Sequence, residues 1–369
     1  MNIFVLGAKP EIKVEPGDGY LEKLRKTGSN TGNQVIAYSL LRQIEYQKIS
    51  WDHRLDPADV NEEYDAFVIP AANFLFPAFD FGGMAEYIER TDLPVVIVGL
   101  GAQANAYDAD IKLMPGTERF LKVVSERAAL IGVRGTFTAE VLARRGIRNV
   151  EITGCPSYYM KNSPHLGLSK PDFASVKTVA ANGSRDVIKH AFNPDKMGKL
   201  VRDIYREAIL WNGDFVAQTE QPEIQLSEQA PGMERGALDN VRAFLKDVME
   251  PERVETWAKE HIHAYFSVPD WLNSLDGVDF VFGTRFHGNV VALQRGIPAC
   301  VVCHDTRTEE ICRHLGIPSV SIMEIEEVRV ADLYERVDCD RLNARYAELY
   351  PAYVNFLARN KLKSMLALG

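Results

Sequence analysis

Short apolar, β-branched runs alternate along the chain with segments whose apolar residues recur every three or four positions, the pattern of an α/β fold. Strands are predicted at Ile3–Leu6, Ala66–Pro70, Pro94–Gly99, Leu130–Val133 and Val150–Thr153. Helices are predicted at Gln34–Gln47, with Val35, Leu40, Leu41 and Ile44 on one face, and at Gly82–Arg90, Phe120–Ala129 and Thr136–Arg145. These elements make one doubly wound domain over residues 1–160. Asn162–Asp172, with Pro164 and Pro171, reads as a linker.

A second α/β pattern fills residues 173–335. Its strands are expected at Thr178–Ala181, Phe215–Gln218, Ala264–Val268, Val278–Phe282 and Ala299–Cys303. Its helices are expected at Lys196–Ile209, Glu252–Glu260, from Trp271, at Asn289–Arg295 and at Arg307–Leu315. Polar Glu220–Gly236 reads as a surface loop or lid. Over residues 340–369, Leu342, Tyr346, Leu349, Tyr353, Phe356 and Leu357 mark an amphipathic helix, expected to pack back on the first domain.

Length agrees with two domains, since 369 residues exceed the usual single-domain size. At 46% hydrophobic and 25% charged residues the composition is globular, which excludes a disordered, collagen-like or coiled-coil chain. The net charge of −9 argues against a nucleic-acid partner. Five cysteines, few and odd in number, suggest reduced thiols in a cytoplasmic protein. Cys300 and Cys303 form a CxxC inside an apolar run, which reads as a buried strand. Met1–Gly7 has no basic leader, and no stretch reaches the roughly 18 apolar residues of a membrane helix. The expectation is a cytoplasmic protein able to sit on the inner face of the membrane. No metal site is expected, because His261-x-His263 has no Cys or paired carboxylate beside it.

The strongest chemical constellation is Gly283-Thr284-Arg285-Phe286-His287-Gly288, where a buried strand ends and a helix begins. Ligands of open α/β sheets bind beyond the carboxyl ends of strands, and a helix start at Gly288 offers free N–H groups to an anion. Arg285 adds a planar fork for phosphate or carboxylate, and His287 a proton carrier. Two residues apart in an extended turn, Arg285 and His287 are expected to point the same way. The plain structural alternative is an ion-paired arginine beside a helix-capping histidine. After the next strand, Asp305-Thr306-Arg307 repeats the theme, with a cation in a first helical turn where the dipole disfavours one. Arg134 follows the strand Leu130–Val133 in the same manner. Gly99-Leu-Gly-Ala-Gln103 is a broken dinucleotide fingerprint, and Asn30-Thr31-Gly32-Asn33-Gln34 lacks the Lys-Ser/Thr ending of a P-loop. Asn30, Asn33 and Gln34 suit sugar hydroxyls, or form a polar helix cap.

Together these pieces resemble the polysaccharide pyruvyl transferase family over roughly residues 20–320. The resemblance rests on Asn30-x-Gly32-Asn33-x-x-Ile36, Gly99-Leu-Gly-Ala-Gln103, Ile131-x-Val-Arg134-Gly135, Ile152-Thr-Gly-Cys-Pro-Ser157 and Gly283-Thr-Arg285-Phe-His287-Gly288 with Gly296-Ile-Pro298. It implies two Rossmann-like domains facing across a GT-B-like cleft, with the acceptor on the first domain and the donor on the second. It implies transfer of the enolpyruvyl group of phosphoenolpyruvate onto two hydroxyls of a sugar, free or in a lipid-linked oligosaccharide, with no cofactor. Arg285, Arg134, Arg307, Thr306 and Gly288 are then expected at the donor, His287 at the reacting carbon, and Asn30, Asn33, Gln34 and Gln103 at the acceptor. The chain departs from the family in carrying Arg307 where a lysine is common, and Gly-Asn in the first loop where Gly-Asp is common. A nucleotide-sugar glycosyltransferase would use the same arginines and helix start. A non-catalytic anion- or sugar-binding module and, last, a dehydrogenase are the further alternatives.

Overall fold

The computed structural model describes residues 1–228 and 234–367, and within them the apolar runs form two six-stranded parallel sheets. The first sheet holds β1 (Asn2–Val5), β2 (Lys48–Ser50), β3 (Ala66–Pro70), β4 (Val95–Leu100), β5 (Ile131–Val133) and β6 (Val150–Ile152). Its order is β2-β1-β3-β4-β5-β6. The second holds β7 (Val179–Asn182), β8 (Asp214–Ala217), β9 (Ile262–Ala264), β10 (Phe280–Gly283), β11 (Ala299–Cys303) and β12 (Ser319–Ser321), in the order β12-β11-β10-β7-β8-β9. Each is a doubly wound α/β unit, and the two face each other across a cleft in the GT-B-like manner. Strands β3, β4 and β11 are buried along their whole length, as continuous apolar runs in parallel sheets must be. Cys300 and Cys303 lie inside β11.

Several expected elements differ, each for a local reason. The first long helix is Gly32–Arg42, not Gln34–Gln47. Beyond Arg42 the chain turns inward to the C-terminal segment, with Ile44 bridging Ser364 and Glu45 N–H donating to Lys363 O. The strand expected at Ala264–Val268 is Ile262–Ala264, because Ser267 caps a helix over Val268–Ser274. The segment Glu220–Gly236 is no simple surface loop. Gln221–Ser227 is a helix, Glu220 and Glu223 are fully buried in ion pairs, and Glu234–Leu245 is a second helix. Residues 229–233 of that segment lie outside the described residues.

The amphipathic helix near the C-terminus spans Cys339–Arg359 and lies on the first sheet's side. Tyr353 stacks on Tyr159 at 4.3 Å and donates to Gln43 Oε1 at 2.8 Å. Asn360 Oδ1 accepts from Leu130 N–H at 3.2 Å. One apolar core runs from this helix through Gly32–Arg42 into the helix Phe286–Gln294 of the second unit, so the two units share buried surface.

Polar ties cross between the units as well. Glu310 accepts from the backbone N–H of Thr138 at 2.9 Å and from its hydroxyl. Burial pushes the Glu310 carboxyl up to about 7. A carboxyl whose folded value is raised contributes stability below its unfolded value near 4.5, and loses it as pH rises towards 7. Glu310→Gln keeps an acceptor for Thr138 N–H and never ionises. Its unfolding free energy from urea titration is expected to match the parent near pH 5 and exceed it at pH 8, by up to about 3 kcal/mol. Parallel pH dependence of the two proteins would show that Glu310 ionises at no cost.

Candidate active site

Both sheets reverse their strand order where they meet the cleft, between β1 and β3 in the first and between β7 and β10 in the second. Such switch points leave a crevice beyond the strand ends where ligands bind. A cavity of about 920 Å³ lies there. Gly7–Lys9, Asn30, Asn33, Trp51, His53, Asn73 and Gln103 line it from the first unit, and Asp186, Thr219, Arg285 and Arg307 from the second.

Arg285 is delivered by the end of β10. Gly283 sits at φ 144°, a conformation L-side chains rarely adopt, and a Cβ there would strike the Asn182 backbone. Arg285 N–H donates to Asn182 Oδ1 at 2.8 Å. The guanidinium is heavily engaged: Nε donates to Gly183 O and Glu220, and Nη2 to Asp186 at 2.7 Å, Thr219 and Glu220. Burial would lower the Arg285 pKa, but Glu220 and Asp186 outweigh it and raise it. Burial alone would raise Asp186, yet Arg285 holds it below the usual carboxylate range. This arginine therefore arrives already neutralised by two carboxylates.

His287 faces elsewhere. The helix begins at Phe286, with Arg285 as its extended N-cap, so Arg285 and His287 diverge instead of sharing one side. Nε2 of His287 lies 3.6 Å from Cys155 Sγ, and Nδ1 faces Gly32 of the first unit. A Cβ on Gly32 would sit 2.8 Å from Nδ1, 2.9 Å from Gln218 Oε1 and 3.0 Å from Asn30 Oδ1. Burial pushes the His287 pKa well below its usual value, and the charges of Arg134 and Arg307 push the same way. Gly288 is the third residue of the helix, packed so closely that a Cβ would lie 2.7 Å from Asn182 Nδ2.

Arg134 and Arg307 differ from Arg285 in lacking full partners. Arg134, 2% exposed, gives Nε to Gly99 O at 2.9 Å while its Nη2 has no protein partner among the described residues. Burial pushes its pKa down. Arg307 Nε is likewise unpartnered, and its nearest carboxylate oxygen, Asp305 Oδ2, is 3.7 Å away. Gln218 Nε2, Asn289 Oδ1, Asp305 Oδ2 and both ring nitrogens of His304 complete a cluster of buried polar atoms without partners. Each such atom costs about 1–3 kcal/mol if left unsatisfied; Arg134 Nη2, Arg307 Nε and Gln218 Nε2 are donors suited to an anionic oxygen, whereas Asn289 Oδ1 and the Asp305 carboxylate only accept. His304 is fully buried, its pKa lowered by burial to about 4.

The remaining sequence candidates divide. Asn30 and Asn33 line the cavity, but Asn30 Oδ1 caps Gly32 N–H at 2.8 Å and Asn33 Nδ2 holds the Thr27 and Gly28 carbonyls. Gln103 lines the cavity and accepts from Asn73 Nδ2 at 2.7 Å. Gln34 does not line it, since its Nε2 donates to Phe266 O across the two units. Thr306 also spans the units, exchanging hydrogen bonds with Ala104 N–H at 3.0 Å and Ala104 O at 3.2 Å. Trp51, whose indole N–H has no partner among the described residues, His53, Asn73, Lys9, Asp186 and Glu220 were not among the sequence candidates. Trp51 and His53 follow β2, a partly exposed three-residue strand that no apolar run announces. Among the described residues no helix is long and apolar enough to cross a membrane.

Comparison with known proteins places this geometry. The family model described as polysaccharide pyruvyl transferase matches residues 30–306, which include Arg134, Cys155, Arg285 and His287. No curated protein matches the chain in sequence. Among solved structures, the chain is similar to a Methanocaldococcus jannaschii UDP-GlcNAc 2-epimerase in complex with UDP-GlcNAc and UDP, at 14% identity and TM-score 0.43 over 100% of this chain and 96% of that one. It is similar to a UDP-N-acetylglucosamine 2-epimerase from Rickettsia bellii, at 13% identity and TM-score 0.43 over 97% of each chain. It is also similar to a chain in the accessory secretory protein 1,2 and 3 structure of Streptococcus pneumoniae, at 13% identity and TM-score 0.34 over 82% of this chain. The chain spans about half of that Streptococcus chain, 52%. With its family model matched from Asn30 to Thr306, the chain belongs to the polysaccharide pyruvyl transferase family, a family of transferases.

Proposed function

We propose that the protein transfers the enolpyruvyl group of phosphoenolpyruvate onto two hydroxyls of a sugar, forming a pyruvate ketal and releasing phosphate. The observation that carries this reading is a buried histidine under the charges of two incompletely paired arginines, Arg134 and Arg307, of which Arg307 lines the cavity at the switch points. The donor carries both anionic groups, phosphate and carboxylate, on C2 of an electron-rich C=C bond, with C3 a free methylene. Arg134 and Arg307 hold its phosphate and carboxylate by charge-assisted hydrogen bonds. Arg285, satisfied by Glu220 and Asp186, shapes the wall and presents the edge of its guanidinium.

The donor's negative charge offsets the two arginines, so His287 takes up a proton as the donor binds. C3 of the donor then accepts that proton from the His287 imidazolium. C2 becomes electron-poor and bonds to the first sugar oxygen, whose proton returns to His287. The bond from C2 to the phosphate oxygen breaks, phosphate leaving with the electron pair. The second hydroxyl closes the ketal at C2, and its proton leaves with the phosphate. Preorganised charge on the departing phosphate is the largest contribution to rate, with proton transfer adding about 10²–10⁴-fold.

The acceptor sugar occupies the first unit's half of the cavity. There the faces of Trp51 and His53 and the amides of Asn73 and Gln103 offer stacking and hydrogen bonds. No cofactor enters the scheme. The decisive experiment is phosphate release from phosphoenolpyruvate across a panel of free and lipid-linked glycans. Thermal stabilisation by phosphoenolpyruvate and not by UDP- or GDP-sugars supports pyruvyl transfer. Stabilisation by nucleotide sugars alone selects glycosyl transfer instead.

Gly32→Ala tests the contact between His287 and the first unit. A methyl group 2.8 Å from Nδ1 forces the ring or the helix start to move. Turnover is expected to fall at least about tenfold, for an overpacking cost of about 1–3 kcal/mol in stability. Steady-state rates and a melting curve on the same sample check this, and wild-type turnover would remove the close approach from the mechanism.

A further inference from the structure

Cys155 is buried at the end of the loop after β6, and no step of the proposed reaction uses it. Its Sγ lies 3.6 Å from Nε2 of His287 and accepts from the Ser157 hydroxyl at 3.0 Å. The other ring nitrogen, Nδ1, faces Gly32 and forms no hydrogen bond among the described residues. The charged groups that face this histidine are Arg134, from the end of β5, and Arg307, from the first turn of the helix Thr306–Leu315. No carboxylate or carbonyl is hydrogen-bonded to either ring nitrogen among the described residues, which leaves the thiol as the group that decides where the ring proton sits.

We propose that Cys155 is a positioning residue for His287: its thiol occupies Nε2 and so reserves Nδ1 as the atom that carries the proton to and from the substrate. The Ser157 hydroxyl points its hydrogen at the sulfur, so the sulfur's own hydrogen is directed at Nε2. A neutral imidazole has one N–H, and with Nε2 accepting it must lie on Nδ1. When His287 becomes the imidazolium, Nε2–H donates back to the sulfur, because a thiol is both a weak donor and a weak acceptor. The contact therefore survives both protonation states. A carboxylate in its place would hold the ring charged, and a carbonyl would force the proton onto Nε2. Burial keeps the thiol protonated by pushing its pKa up, against the pull of Arg134.

This inference rests on the reading of His287 as the proton carrier, and its test separates the two. The full chain is labelled with ¹⁵N-histidine, and the long-range ¹⁵N–¹H correlation of His287 is assigned by its loss in His287→Asn. The expected result is the Nδ1–H tautomer in the parent and in Cys155→Ser, and a shift to Nε2–H in Cys155→Ala. Phosphate release from phosphoenolpyruvate is expected to fall about tenfold or more in kcat for Cys155→Ala, with the acidic limb of its pH profile displaced, and to recover in Cys155→Ser. Cys155→Val, nearer in volume, stands in if the alanine variant does not fold. An unchanged tautomer together with an unchanged pH profile overturns the proposal. Because the tautomer is read without donor or acceptor, an inactive panel of glycans would count against pyruvyl transfer while leaving the Cys155 result intact.

Discussion

His287→Asn is expected to lower phosphate release from phosphoenolpyruvate by about 10²–10⁴-fold, the range of a lost general acid. Donor affinity, carried by Arg134 and Arg307, is expected to survive. Burial and the two arginines hold His287 well below its usual pKa, so it is neutral at pH 7. A neutral imidazole is a poor acid, and the ring becomes competent only when negative charge arrives between the same arginines. Donor binding at pH 7 should therefore draw up to one proton from solution. Calorimetric titrations in buffers of different ionisation enthalpy measure that uptake, which should vanish in His287→Asn. A variant that keeps most of its turnover, or a parent that binds the donor without proton uptake, removes His287 from the proton-transfer step.

Arg285→Ala is expected to act chiefly on folding. Glu220 is fully buried, Asp186 is about one-third exposed, and both face the Arg285 guanidinium. Removing one partner of a buried ion pair leaves its counterpart uncompensated, at about 3–5 kcal/mol. The variant should lose that much in urea unfolding, and Arg285→Ala combined with Glu220→Gln should recover a large part of it. Arg307→Gln removes a cation whose nearest carboxylate is 3.7 Å away. It should cost less stability than Arg285→Ala and weaken the donor by about tenfold or more, as the loss of a charge-assisted hydrogen bond predicts. Equal destabilisation by both substitutions would show that the carboxylates around Arg285 relax without it.

The two sheets were legible because parallel strands buried on both faces must be continuously apolar, and β3, β4, β10 and β11 are. The cations after β5, β10 and β11 were legible from position alone: a strand end, a glycine and a helix start bracket Arg134 and Arg285, and Arg307 sits in the first turn of the helix after β11. What could not be read was pairing. Glu220 sits in a polar stretch that resembles a loop, and only the fold brings it to Arg285, 65 residues away. An extended turn through residue 287 would put Arg285 and His287 on one side. The helix starts at Phe286, two residues before Gly288, and rotates the two side chains apart. Trp51, His53 and Lys9 escaped for the opposite reason: they stand on loops where no periodic pattern constrains the chain. Gln34 had the polarity of a sugar ligand, but polarity alone does not distinguish a ligand from a carbonyl in the neighbouring unit.

The helix Cys339–Arg359 leaves the ribosome after the entire second sheet, yet Tyr353 bonds Gln43 across a separation of 310 residues. Until that helix is synthesised, Gln43 lacks the Tyr353 hydroxyl and Tyr159 its stacking partner. The first-made half of the protein is therefore the last to be finished. Contacts of such long range slow folding, and they prolong the period in which a nascent chain shows apolar surface to its surroundings. Maturation of this protein should accordingly depend more on translation running to the end, and on protection of the growing chain, than the independence of two α/β sheets would suggest.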